Sequence, residues 1–317
     1  MKSKSLIVHI GLPKTGTTSL QKNLFPLLCI ENNILYNPPE YSKIKDKDSL
    51  FYIDDKKKFE KVLQENDVLI SEEGLVGWNP RNWQSASERV LDLFGRRAKI
   101  VITIRDPIDY LTSVWIQQIQ EGRIIEPSNF FLNRIDYDKK NPLMKNNSLD
   151  YFDFDSLDYE FLYKLYSERF DEVYILPLSQ ISSIYPFKSL YRLSDESIAS
   201  YRKNFLNSKK QNISFSRVAI KLSLIKEKAL KTTFNRFPLL GNFTSRLLSL
   251  FFRTRIFSWR WWMHNVVNKL FPYEKPYLPK EITSKFDQNL FQANTNFVKT
   301  HARLIKKSVN TRDNKNF

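Results

Sequence analysis

The chain has 317 residues, 42% of them apolar, which is enough for a sizeable core in one large domain or two small ones. Its single cysteine, Cys29, excludes intrachain disulfides and cysteine-rich metal sites and points to a reducing compartment, and three scattered histidines, His9, His264 and His301, offer no zinc-like cluster. The net charge of +16 is uneven: residues 201–317 carry 24 Lys and Arg against 5 Asp and Glu, or +19, while residues 1–200 carry 26 against 29, or −3.

The N-terminal MKSKSLIVHIGLPK has a basic start but only a short apolar run, shorter than a signal peptide requires. No apolar run approaches the ~20 residues of a membrane span. A cytoplasmic protein is the expectation. Leu6, Ile7, Val8 and Ile10 form an apolar, β-branched run, the pattern of a buried strand. Gly11, Pro13 and Gly16 break it, and Leu20, Leu24, Leu27 and Leu28 then recur at helical spacing. Residues 5–28 therefore read as strand, glycine-bearing loop and helix. Such a loop brings backbone N–H groups and a helix N-terminus to one point, where an anion is stabilised. Lys14 adds a full positive charge, and Thr15, Thr17 and Thr18 add hydroxyls. The triphosphatase spacing G-x-x-x-x-G-K-[ST] is met by Gly11, Gly16 and Thr18. Thr17, however, stands where the lysine belongs, and the lysine has moved to position 14.

Further along, residues 33–36 read as a short strand closed by Asn37-Pro38-Pro39, and residues 41–65 as partly helical. Residues 67–70, DVLI, form a strand ending at Ser71-Glu72-Glu73-Gly74. Residues 85–94 read as a helix closed by Gly95, and KIVITI, 99–104, as the next strand. Asp106 suits an N-cap, with Pro107 at the first helical position. Ile108, Leu111, Trp115 and Ile119 then mark one helix face up to Gly122. Residues 136–150 read as a polar loop, 157–170 as an aromatic-rich helix and 173–178 as a strand. Strands alternating with helices predict an α/β fold with a central parallel sheet flanked by helices. In such sheets ligands bind beyond the carboxyl ends of the strands, and every motif here falls at such an end.

Arg105 closes a strand and can pair with a phosphate through two N–H groups. Ser113, eight residues on, lies off the apolar stripe of the following helix. The pattern P-K-[TS]-G-[TS]-[TS] after an N-terminal strand, followed by R-[DN]-P and a serine eight residues after the arginine, resembles sulfotransferases that use 3′-phosphoadenosine 5′-phosphosulfate (PAPS). Residues 5–180 carry the likeness, which is closest to bacterial and carbohydrate-modifying members. It implies a P-loop-kinase-like fold, no metal, and adenosine 3′,5′-bisphosphate as product. Lys14, Thr15, Gly16, Thr17 and Thr18 would hold the 5′-phosphosulfate, and Arg105 and Ser113 the 3′-phosphate. Lys209 and Lys210 match a basic loop that family members return over the 3′-phosphate.

Transfer to an alcohol requires a base for its proton. The family's glycan enzymes carry a glutamate at the end of the corresponding strand. Glu72 and Glu73 both stand there, alternation lets only one face the cleft, and the reading favours Glu72. The implied acceptor is a carbohydrate or glycolipid. Two other classes stay open: a P-loop nucleotide kinase or triphosphatase with a variant loop, needing Mg²⁺ and an acidic partner such as Asp106, and a catalytically idle nucleotide- or glycan-binding protein.

Residues 1–205 are assigned to the cofactor-binding core and 206–317 to a basic, aromatic-rich helical region. Within the latter, residues 237–271, which end in FFRTRIFSWRWWMHNVVNKLF, interleave Arg246, Arg253, Arg255 and Arg260 with Trp259, Trp261 and Trp262. Aromatics beside cations suit a substrate surface or the inner face of an anionic membrane first, a packed core second and nucleic acid third.

Overall fold

The computed structural model describes residues 4–44, 52–140, 150–211, 215–236, 259–271 and 273–313, with 52, 206–211, 229–236, 259–260, 264 and 308–313 described by backbone alone. Strand β1 (Leu6–His9) leads through the glycine loop into helix α1 (Thr17–Asn23), and α2 (Phe25–Asn32) continues from it after a break at Leu24. Then follow β2 (Leu35–Tyr36), α3 (Pro39–Ile44), α4 (Tyr52–Glu65), β3 (Val68–Ser71), α5 (Trp83–Phe94), β4 (Lys99–Ile104) and α6 (Pro107–Gln120). After α7 (Pro127–Phe130), β5 (Phe131–Leu132) pairs with β6 (Phe152–Asp153) in a small separate sheet, with α8 (Arg134–Lys140) between them. Helix α9 (Tyr159–Ser167), β7 (Glu172–Pro177), α10 (Phe187–Leu190), α11 (Asp195–Gln211) and α12 (Arg217–Arg236) complete the labelled elements.

The main sheet is parallel throughout, in the order β2-β3-β1-β4-β7. Alternation along its strands sends residues to two cores. Val8, Ile70, Ile100 and Ile102 face a core with α4, α5, α6 and α9, while Ile7, Leu69 and Val101 face a second with α1, α2, α10 and α11. With helices on both faces, the strands are apolar at nearly every position, as parallel sheets require. The chain leaves β1 toward β2 and leaves β4 toward β7. The crevice beyond the carboxyl ends of β1 and β4 is thus the switch point of the topology.

The α/β architecture with its central parallel sheet is the one expected. Several local readings differ. Residues 136–140 are helical, the end of α8, because Asn133 and Asp155 cap its first turn by accepting from Asp136 and Arg134 N–H groups. Residues 207–211 belong to α11 rather than to a loop. Ile108 lies on the exposed side of α6, and Tyr110, Val114 and Ile116 share the buried side with Leu111, Trp115 and Ile119. The C-terminal helix Gln288–Asp313 places Phe291 and Val298 in one core and Ile305 in the other, against the edge strand β7. Residues beyond 205 therefore help to build the core as well as a surface.

Candidate active site

Register sets the site. His9 at the end of β1 is level with Ser71 on β3 and Val101 on β4. Glu72 and Glu73 therefore leave β3 beside Ile10 and Gly11, and Arg105 leaves β4 beside Pro13.

The loop between β1 and α1 turns sharply, with Lys14 at φ 63° and Gly16 at φ 92°, both left-handed. Glycine adopts that conformation without steric cost. A side chain at Gly16 would also run into Ile181 at 2.7 Å and Leu178 at 2.8 Å. At Gly11 a Cβ would overlap the Thr17 and Thr103 hydroxyl oxygens. The Thr15 hydroxyl works inside the loop: it is fully buried, donates to the Leu12 carbonyl at 2.5 Å and meets the Thr103 hydroxyl at 2.6 Å. That leaves Thr15 only its backbone N–H for a ligand. Helix α1 starts at Thr17 with no side chain capping it. Thr18 is exposed, and Lys14 and Gly16 are half-buried. The Thr17 hydroxyl is buried and outside hydrogen-bond geometry with the described protein atoms.

Arg105 lies over this loop. Its guanidinium donates to the Lys14 carbonyl at 3.4 Å and approaches the Asp109 carboxylate at 3.9 Å. The Tyr159 hydroxyl donates to the Arg105 carbonyl at 2.8 Å. Asp109 is also gripped at 2.7 Å by Lys275, whose segment crosses the start of α6. Burial pushes the Tyr273 phenol up, against the opposing pull of the Lys275 and Arg105 cations, so Tyr273 belongs to the same corner. Ser113 is half-buried on α6. Lys209 and Lys210 end α11, and their side chains lie outside the described residues.

The two glutamates diverge. Glu72 is extended, with its N–H on the His9 carbonyl at 3.1 Å. Its carboxylate lies by the buried Tyr41 phenol, adding to the effect of burial in raising that pKa, with Arg89 acting the other way. Glu73 begins a short 3₁₀ turn, Glu73–Leu75, and is half-buried. Burial raises its pKa, while the Thr17 hydroxyl and the Lys14 cation pull it back and the Glu72 charge adds to the rise. Glu73 is thus the carboxyl beside Lys14 and Thr17, with Glu72, the one the sequence favours, next to it.

Beneath both loops lies a polar cluster that the sequence did not announce. His9 Nδ1 meets the Ser71 hydroxyl at 2.9 Å, and Gln21 donates to both Ser71 oxygens at 3.1 Å. The Asn37 amide exchanges bonds with the Ser71 backbone at 2.8 and 3.3 Å. Burial holds the His9 imidazole neutral, with a pKa lowered to about 3. A histidine at the fourth and last position of a short apolar strand is the one signal of it in the sequence. Lys275, 166 residues from Asp109, left none.

Asp106, the acidic partner that a kinase reading needs, caps α6 by accepting from the Ile108 and Asp109 N–H groups. Among the described residues no three His, Cys, Asp or Glu side chains gather as a metal site would need.

No protein-family model matches the chain, and no curated protein matches it. Among solved structures it is similar to a sulfotransferase from Alicyclobacillus acidocaldarius, with 17% identity over 59% of this chain and 78% of that one and a TM-score of 0.38. At that identity and score, nothing about function carries over from it.

Proposed function

We propose that the chain is a PAPS-dependent sulfotransferase acting on a hydroxyl of a carbohydrate or glycolipid. The observation that carries this reading is the meeting of a cation on a left-handed residue, Lys14, a buried hydroxyl, Thr17, a carboxyl held toward its neutral form, Glu73, and an arginine, Arg105, at one switch point. These groups suit the donor: the cleft offers two cations for two separate phosphates, and Thr17 offers a buried hydroxyl beside Lys14 and Glu73.

When bound, the donor supplies an activated sulfuryl group. Lys14 places a positive charge where negative charge grows on the departing phosphate, which lowers the barrier more than it aids binding. The Thr17 hydroxyl and the backbone N–H groups of residues 15–18 orient the same end. Arg105, already aimed at the Lys14 carbonyl, pairs with the second phosphate. Glu73 accepts the proton of the acceptor hydroxyl at its carboxylate as that oxygen attacks. A raised pKa strengthens it as a base near neutrality.

The test is thermal. Adenosine 3′,5′-bisphosphate at about a hundred times its dissociation constant should add ~2.7 kcal/mol of stability. It should do so without Mg²⁺ and by more than ATP with Mg²⁺ does. A larger shift with ATP and Mg²⁺ would replace this reading with a kinase.

A further inference from the structure

We propose that the face built by α12 and the segment from Trp259 to Phe271 docks on an anionic lipid bilayer, with its aromatic and aliphatic side chains at the headgroup boundary. The segment is a short helix, Trp259–Trp262, a π turn, Met263–Val267, and a last turn, Asn268–Leu270. It is firmly seated. Met263 and Val267 are buried in the main core, Asn268 accepts from the Ser216 N–H at 3.0 Å, and the π turn packs on α12. The adjoining strand of chain is pinned as well: Arg217 donates its N–H to the Glu274 carbonyl at 3.2 Å and lies 4.7 Å over the Tyr277 ring.

Large apolar side chains nevertheless point away from this anchored frame. Trp261 and Trp262 are 38% and 42% exposed and meet edge to face at 6.0 Å. Leu270 is 72% and Phe271 45% exposed. On α12, Leu222 and Ile225 share a side and are 37% and 64% exposed. Lys221 and Lys269, next to Leu222 and Leu270 in the chain, are exposed as well. Clustered exposed apolar groups on a soluble chain mark a surface with a partner.

Charge selects the partner. The patch lies within the +19 of residues 201–317, whereas residues 1–200 carry −3. Two copies meeting through this face would oppose like charges. A nucleic acid would engage the lysines but leave Leu222, Ile225 and Leu270 in water. An anionic bilayer satisfies both sets: tryptophan rings settle at headgroup level, and each Lys or Arg near the surface contributes about 1 kcal/mol. No helix among the described residues is long and apolar enough to cross a membrane, and the contact proposed is one at the surface. The Lys275–Asp109–Arg105 chain of contacts joins this face to the rim of the cleft. Docking does not depend on which reaction the cleft performs.

The full chain should co-sediment with vesicles of phosphatidylcholine mixed with phosphatidylglycerol and remain in solution with phosphatidylcholine alone. Binding should fall as salt rises, because the attraction is screened. The double variant Trp261→Ala/Trp262→Ala should still unfold cooperatively, at a somewhat lower melting temperature because each ring is more than half covered, and bind about tenfold more weakly or worse. Lys221→Glu/Lys269→Glu should likewise release the protein. Equal binding to both vesicles, no binding to either, or full binding by the tryptophan variant overturns the proposal. So does a lipid-free dimer that the tryptophan variant abolishes, which would make a second copy the occupant.

Discussion

The sharpest distinction at the scale of single residues is between adjacent carboxyls. Glu73 faces Lys14 and Thr17, and Glu72 faces Tyr41. Glu73→Gln should lower turnover by roughly 10²-fold or more, as loss of a general base does, with the bisphosphate-induced melting shift intact. Because the fold disfavours the ionised form of Glu73, the same substitution should raise the melting temperature near neutral pH. The sign follows from linkage: a group whose folded pKa is raised gives stability below its unfolded pKa and loses it as pH rises through the folded value. Glu72→Gln should instead lower the melting temperature through Tyr41 and affect turnover less. Turnover lost only in Glu72→Gln would return the base to that residue. Arg105→Ala should weaken binding of adenosine 3′,5′-bisphosphate while leaving that of adenosine 5′-phosphate nearly unchanged. An equal loss for both ligands would show that Arg105 merely braces the Lys14 loop.

The glycine loop and the polar cluster under it work at the scale of elements. A methyl group at Gly11 would overlap the Thr17 hydroxyl and the Thr103 hydroxyl, the second of which holds Thr15 inside the loop. Gly11→Ala should cost about 1–3 kcal/mol, as overpacking does, and abolish the response to bisphosphate. Unchanged thermal stability and ligand response would mean that the loop relaxes freely. The His9–Ser71 contact ties β1 to β3 directly behind Gly11 and Glu72. His9 is buried neutral, its pKa lowered from 6.5 to about 3 by burial. The unfolded chain therefore takes up the proton first as pH falls. Stability is complete above the unfolded value and is lost as pH drops from there toward the folded one, at up to about 1.4 kcal/mol per pH unit. His9→Gln should flatten the fall in melting temperature between neutral pH and about pH 5. A variant as acid-sensitive as the parent would place the lability elsewhere.

For the molecule as a whole, the C-terminal helix is a structural closure. It lies on the edge strand β7 and supplies Phe291, Val298 and Ile305 to two cores. Uncovered, β7 would present a row of unpaired N–H and C=O groups next to exposed apolar surface, a template for aggregation. Truncation before Gln288 should therefore yield insoluble or partly unfolded protein, read by expression and by circular dichroism. A soluble, cooperatively melting product would show that residues 1–287 suffice.

The parallel α/β frame and the two loops at its carboxyl edge are legible in the residue pattern. Strands buried on both faces read as apolar runs, as in residues 6–10 and 99–104, and Gly11, Gly16 and Asp106-Pro107 mark the chain's changes of direction through local chemistry alone. What pattern could not supply was orientation. Glu72 and Glu73 are equivalent in sequence, and the 3₁₀ turn begun at Glu73, together with the burial of Tyr41, separated them. Thr15 looked like a ligand hydroxyl until Thr103, 88 residues away, turned it inward. The meeting of Lys275, Asp109 and Arg105, and the return of residues 288–305 into both cores, were decided by tertiary contacts alone. Such contacts join residues far apart in the chain, and their energy comes from burial and charge pairing that no local window of residues contains.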